Sequence, residues 1–226
     1  MLRFLALIAL AGCGAARYAD APAGRLSGTV LVMWVGETQG GEGDGRFVYV
    51  PSATPLQFHR TNADATLTTI TPEMMYTDGG SIPAMAQVFK GFSPWGYAPA
   101  YIVHDWLFVA RKCVNDGMAD PEQAKVAQMP FAESADVAAE VIKTLINTNT
   151  VAPNDVAPGL ITSAVAGPIA RERWNQKGAC AAAVVSEAHQ EMIKRALAAP
   201  ARARMVQRGA GGPVAQVVQV IDFGPP

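Results

Sequence analysis

One stretch governs what this chain can become. Tyr97 to Lys112 is apolar almost all the way round, and His104 and Asp105 interrupt it in the middle. A surface helix carries its apolar residues on one side, whereas a segment apolar on every side belongs to a helix packed on all faces. The rest of the chain must supply that cover. Half of its 226 residues are hydrophobic, enough for a sizeable core within one domain. Burying two ionisable groups is costly unless they are partnered, ion-paired or bound to a metal. His104 and Asp105 therefore mark the place to look for acid–base chemistry.

The segments before this helix read as β-structure. Thr29 to Val35 is a run of β-branched and large apolar residues that ends at a glycine-rich turn from Gly36 to Gly45. Phe47–Val50, Leu56–Arg60 and Thr66–Ile70 follow as short strands, antiparallel with hairpin-like turns. After it the period becomes helical. A short helix is expected in Pro121–Met129. A longer one is expected over Glu133–Asn147, capped by Ser134, with Val137, Val141, Ile142 and Leu145 on its apolar side. Pro153 and Pro158 punctuate a loop, and helical segments are expected over Gly159–Trp174 and Ala179–Ala198. A break at Gly209–Gly212 precedes Val214–Phe223, a late strand expected to return to the N-terminal sheet. The result is an α+β fold, with one domain over residues 29–226.

The first residues have a different purpose. Arg3 supplies a positive charge, Phe4 to Leu10 an apolar run, and Leu10-Ala11-Gly12 small residues before Cys13, the pattern of a secretory signal over residues 1–12. The apolar run is far short of the ~20 residues that span a bilayer. A cysteine directly after Leu-Ala-Gly resembles the lipobox of bacterial lipoproteins. That resemblance implies that Cys13 is diacylated and becomes the mature N-terminus. It also implies that the chain is lipid-anchored in the bacterial cell envelope, facing the periplasm or the exterior, with the bilayer as its partner. Residues 13–28, rich in Ala, Gly and Arg, read as a lipidated tether. Cys113 and Cys180 are then the only other cysteines, in an oxidising compartment. A bridge would close a loop of roughly 68 residues and contribute about 4 kcal/mol; the alternative is two buried thiols. No Cys-x-x-Cys or His-x-x-x-His spacing points to zinc.

Charge narrows the partners. The net charge of −1 and the charged fraction of 16% give no electrostatic reason to expect nucleic acid. Arg202, Arg204 and Arg208 read as a solvated helix face. His59 and His189 lie in polar surroundings and read as surface residues. In Thr77-Asp78-Gly79-Gly80-Ser81-Ile82-Pro83 the glycines permit a tight turn and close approach to a ligand. Asp78 and Ser81 there either bind an ion or only form an Asx-turn. Ser81 lacks the flanking pattern of a nucleophile elbow. The glycines at 40, 41, 43 and 45 precede neither a Lys-Ser/Thr pair nor a helix, so they do not form a phosphate cradle. Trp95 reads as a packed residue or as an exposed anchor.

Thr77-Asp78-x-x-Ser81-Ile82-Pro83, followed by His104-Asp105-x-Leu107-Phe108, resembles a family of uncharacterised bacterial and phage proteins catalogued as a domain of unknown function. The resemblance extends to Ala135-Asp136 and Trp174 and covers roughly residues 66–175. Phe108 stands where that family usually has Tyr. A second, local resemblance is to secreted phospholipases A2, which carry a His-Asp pair in a buried helix and another Asp on a second helix. It implies His104 as general base and Asp136 as the residue that orients it. Calcium would be the cofactor, bound by Asp105 with oxygens from the Asp78 loop. Two functions follow: a membrane-anchored, calcium-assisted ester hydrolase, or a non-catalytic envelope or phage-related lipoprotein whose His104–Asp105–Asp136 network is structural.

Overall fold

In the computed structural model, residues 15–36, 46–77, 96–153, 157–199 and 215–225 are described. They form an α+β fold built on two antiparallel sheets. Strands β1 (Arg25–Ser27), β4 (Gln57–His59) and β5 (Thr69–Ile70) make the smaller sheet, in the order β1-β4-β5. Strands β2 (Thr29–Val35), β3 (Arg46–Tyr49), β6 (Met75–Thr77) and β7 (Ala215–Asp222) make the larger one, in the order β6-β3-β2-β7. The late strand returns as expected, pairing Val30 with Ile221 and Trp34 with Gln216 across a register shift between Val32 and Met33. Gly28 lets the chain step from one sheet to the other: its φ is +77°, and an added Cβ would lie 2.0 Å from the Pro55 carbonyl oxygen.

The larger sheet is a middle layer. Val30, Val32 and Tyr49 join the main core with helix α2 (Ala98–Asn115), while Met33, Val35 and Val48 join a second core with Ile193 of helix α7 (Glu187–Ala198). The α2 segment begins with Pro99 in its first turn, ends with Lys112 in its last, and stops before Gly117 at φ +68°. Ile102, Val103, Trp106, Leu107 and Ala110 are buried on its several sides, as an all-round apolar helix requires.

A 3-10 helix (Gln123–Gln128) leads to α3 (Phe131–Asn147), followed by α4 (Ala157–Val165), α5 (Pro168–Trp174) and α6 (Cys180–Ala183). Gly167-Pro168 divides the expected Gly159–Trp174 helix into two. Ser134 does not cap α3. Pro130 occupies the cap position, and the buried Ser134 hydroxyl donates to the Phe131 carbonyl at 2.8 Å. The Cys113 and Cys180 sulfurs are bonded. Beside them Asp116 accepts from the backbone N–H groups of Gly178 (2.6 Å), Ala179 (2.9 Å) and Cys180 (2.9 Å). Those bonds, from Cys180 and Gly178 foremost, hold its carboxyl below the usual carboxylate range.

Residues 15–28 correct the expectation of a tether. Residues 15–20 form helix α1, and Arg25–Ser27 is β1. The segment lies along α3. Arg17 Nη1 donates to the Asp136 carboxylate and the Ala132 carbonyl, Lys143 Nζ to the carbonyls of Tyr18 and Ala19, and the Gly24 N–H to Thr144 Oγ1 at 2.8 Å. Lys143 also sits 4.7 Å over the Tyr18 ring. Tertiary contacts, not local propensity, order this segment.

The smaller sheet is tied to α3 by a buried ionic cluster. Arg60 Nε and Nη2 donate to the two Glu140 oxygens at 2.7 and 2.8 Å, and Nη1 donates to Glu133. Glu133 also accepts from Thr66 N–H (2.7 Å) and hydroxyl (2.5 Å). Burial by itself would lower the Arg60 pKa. The hydrogen bond and charge of Glu140, then those of Glu133, outweigh it and hold the guanidinium charged.

Two predictions follow from these contacts. Glu140→Ala leaves a buried guanidinium half-paired and should cost about 3–5 kcal/mol in urea unfolding, whereas Glu191→Ala in the exposed Lys194–Glu191 pair should leave the midpoint unmoved. Asp116 has a depressed folded pKa, so its stabilisation is present above its unfolded pKa of roughly 3.9 and is lost as pH falls through the folded value. Asp116→Asn should therefore lower the urea midpoint at neutral pH, and the difference from wild type should disappear in strong acid.

Candidate functional site

The His104 ring is buried, and its centroid lies 4.7 Å from that of Phe108. Phe108 in turn meets Trp174 edge-on at 5.1 Å, and Trp174 packs on Phe131 and under the Arg111 guanidinium. Three residues of the sequence motif, His104, Phe108 and Trp174, thus form one aromatic row joining α2 to α5. Phe108 serves there as a ring, and its packing calls for no hydroxyl.

The polar atoms of the motif do not converge in the same way. His104 Nδ1 is 3.6 Å from Asp105 Oδ1, beyond hydrogen-bond distance. Neighbouring helix residues point about 100° apart, so adjacency in sequence does not turn the carboxylate onto the ring. Among the described residues His104 Nε2 is buried without a hydrogen-bond partner. Among the described residues the hydroxyls of Tyr97, the cap of α2, and Tyr101 are buried and unpartnered as well, and they precede His104 on one stripe. Burial, then Tyr97, then Asp105 push the Tyr101 phenol up, so it stays neutral.

Asp136, expected to orient His104, is engaged elsewhere. Its carboxylate pairs with Arg17, and no hydrogen bond joins it to the imidazole. With Arg17, Asp20, Asn62 and Glu140 it lines an open polar cleft of about 420 Å³, which His104 does not line. The structure thus separates the residues that the phospholipase resemblance would assemble. A general base needs an acceptor on one nitrogen and an approach to the other. Among the described residues no acceptor reaches His104 Nε2, and Asp105 stays beyond hydrogen-bond distance of Nδ1.

Of the two expected calcium ligands only Asp105 lies among the described residues. Asp105 contributes one carboxylate, Asp78 lies outside the described residues, and among the described residues no three His, Cys, Asp or Glu side chains cluster to hold a metal. The rest of the Thr77–Pro83 loop after Thr77, together with Cys13, the glycines at 40–45, Trp95, Arg202, Arg204 and Arg208, also lies outside the described residues.

The other histidines are less superficial than their surroundings imply. His59 bridges the smaller sheet, with Nε2 3.1 Å from Ser27 Oγ and Nδ1 3.2 Å from Thr69 Oγ1. Burial, then Arg25, lower its pKa. His189 Nδ1 is 2.8 Å from the Tyr76 hydroxyl. Sequence reasoning missed the ionic cluster, although a signal for it existed. Glu133, Asp136 and Glu140 fall on one helical stripe in a chain with few charges, a spacing that calls for basic partners from another segment.

The unpartnered Nε2 gives a test of this geometry. His104→Phe keeps a ring against Phe108 and removes an unpaired buried polar atom. It should leave the urea midpoint unchanged or raise stability by up to about 1–3 kcal/mol. A clear loss would mean that the imidazole has a partner.

No family model, curated protein or solved structure matches this chain.

Proposed function

We propose that this chain is a bacterial envelope lipoprotein, held at the membrane by acyl chains on Cys13, that works by binding or bracing a partner and not by turnover. The observation that carries the non-catalytic part is the engagement of Asp136 by Arg17. The one carboxylate offered by the resemblance as the orienter of His104 is used to dock the N-terminal segment. The anchoring part rests on the Leu10-Ala11-Gly12-Cys13 pattern and on the chain's one disulfide among the described residues, a bond suited to an exported protein. Two or three acyl chains anchor stably without a spanning helix, and among the described residues no helix is long and apolar enough to cross a membrane.

A second reading keeps His104 as the base of an ester hydrolase, and its buried, unpartnered Nε2 is what favours it. Two measurements separate the readings. In fractionated cells the wild-type chain should be found with membranes and Cys13→Ala in the soluble fraction; equal distribution of the two would overturn the anchoring. Purified protein should show no ester hydrolysis, with or without calcium, that His104→Ala abolishes. Activity lost on that substitution would establish the hydrolase instead.

A further inference from the structure

The anchoring reading has a geometric consequence, because the folded part of the chain begins almost at the lipid. Only Gly14 separates Cys13 from Ala15, which is already within helix α1. Two residues reach at most about 7 Å, roughly the thickness of one headgroup layer. A domain held that closely cannot turn freely above the bilayer, and the surface around Ala15 must face it.

That surface has the composition of a membrane-lying face. Gly159, near the start of α4, packs on Ala15 so closely that an added Cβ would lie 3.3 Å from the Ala15 Cα and Cβ. The next residue, Leu160, is 43% exposed, and Ala164 stands exposed one turn further along. The start of α5 presents Ile169 at 69% exposure. Helix α5 reaches the same end of the fold: the Arg171 guanidinium lies 4.7 Å over the ring of Phe131, the residue next to Ala132, whose carbonyl accepts from Arg17. From Pro168 to Lys177 the exposed charges are Arg171, Arg173 and Lys177 against Glu172. Exposed aliphatic residues beside an excess of basic ones are suited to an interface of acyl chains and anionic headgroups.

We propose that the α4–α5 face beside α1 lies on the bilayer, with Leu160 and Ile169 entering the headgroup boundary and Arg171 and Arg173 meeting anionic lipid. The proposal rests on acylation of Cys13. It fixes one orientation of the domain on the bilayer.

The test uses the full acylated chain in vesicles of phosphatidylcholine and phosphatidylglycerol, about 3:1, with a phospholipid bearing a photoactivatable diazirine in its acyl chain. After irradiation, crosslinked peptides are mapped by mass spectrometry, which also reads the acylation of Cys13. Labelling of residues 157–174 should exceed that of β7 by at least about fivefold, although Val217, Val218 and Val220 of β7 are also exposed. The double substitution Leu160→Ser and Ile169→Ser should lower the labelling of 157–174 severalfold while the protein still floats with the vesicles. An acylated, floating protein labelled equally on both segments overturns the proposed face alone. An unacylated Cys13 overturns the anchoring and this orientation together.

Discussion

The fold depends most on the Arg60 guanidinium, closed between Glu133 and Glu140 in the interior. Without it the smaller sheet and α3 would meet through two buried carboxylates and no cation, an arrangement that folding cannot sustain at neutral pH. Its presence fixes the rotation of α3 about its axis, since residues 133 and 140 must both face β4. That choice places Asp136 and Thr144 where residues 17–24 pass. The same helix face therefore receives the Arg60 cluster and the N-terminal segment, and the second follows geometrically from the first. A reader of the sequence sees three acids on a helix; the fold makes of them two separate attachments.

This helix rotation also explains why the motif reads more like a catalytic site than it is built. His104 and Asp136 lie on neighbouring helices, as the phospholipase resemblance implies. The side of α3 that carries Asp136 is held toward Arg17 and the polar cleft, while His104 stacks on Phe108 in the row that ends at Trp174. The motif residues that do converge are aromatic, and what they share is packing between α2 and α5. Among the described residues, the buried polar atoms without a hydrogen-bond partner on α2 and its cap, the hydroxyls of Tyr97 and Tyr101, Nε2 of His104, Nε1 of Trp106 and Nε of Arg111, remain its unusual feature, since buried polar groups are nearly always paired.

Much of the fold was legible because its signals are local. Thr29–Val35 lies between glycines and is β-branched, and it forms a strand with those limits. The apolar residues at alternating positions of Val214–Phe223 marked a strand at the end of an otherwise helical stretch, and it pairs with β2 although Val217, Val218 and Val220 stay exposed. The helix around His104 followed from its all-round apolarity. The N-terminal segment was not legible in this way. Ala, Gly and Pro with scattered charges suit a linker equally well, and what orders residues 15–24 is their contact with α3. Nor could the sequence say which cation Asp136 would meet, because Arg17 is more than a hundred residues away and competes with every other base in the chain.

The disulfide completes this division of labour. It closes a loop that contains α3, α4 and α5, and the backbone N–H groups beside Cys180 are held by Asp116 at the end of α2. The α5–α6 end of the helical layer is therefore fixed to α2 twice, by the covalent bond with its carboxylate clasp and by the aromatic row through Phe108 and Trp174. The sheets lie outside that loop and reach it through packing and Arg60. A load applied at the N-terminus passes through Arg17 and Lys143 into α3, and so into the cross-linked layer before it reaches any strand.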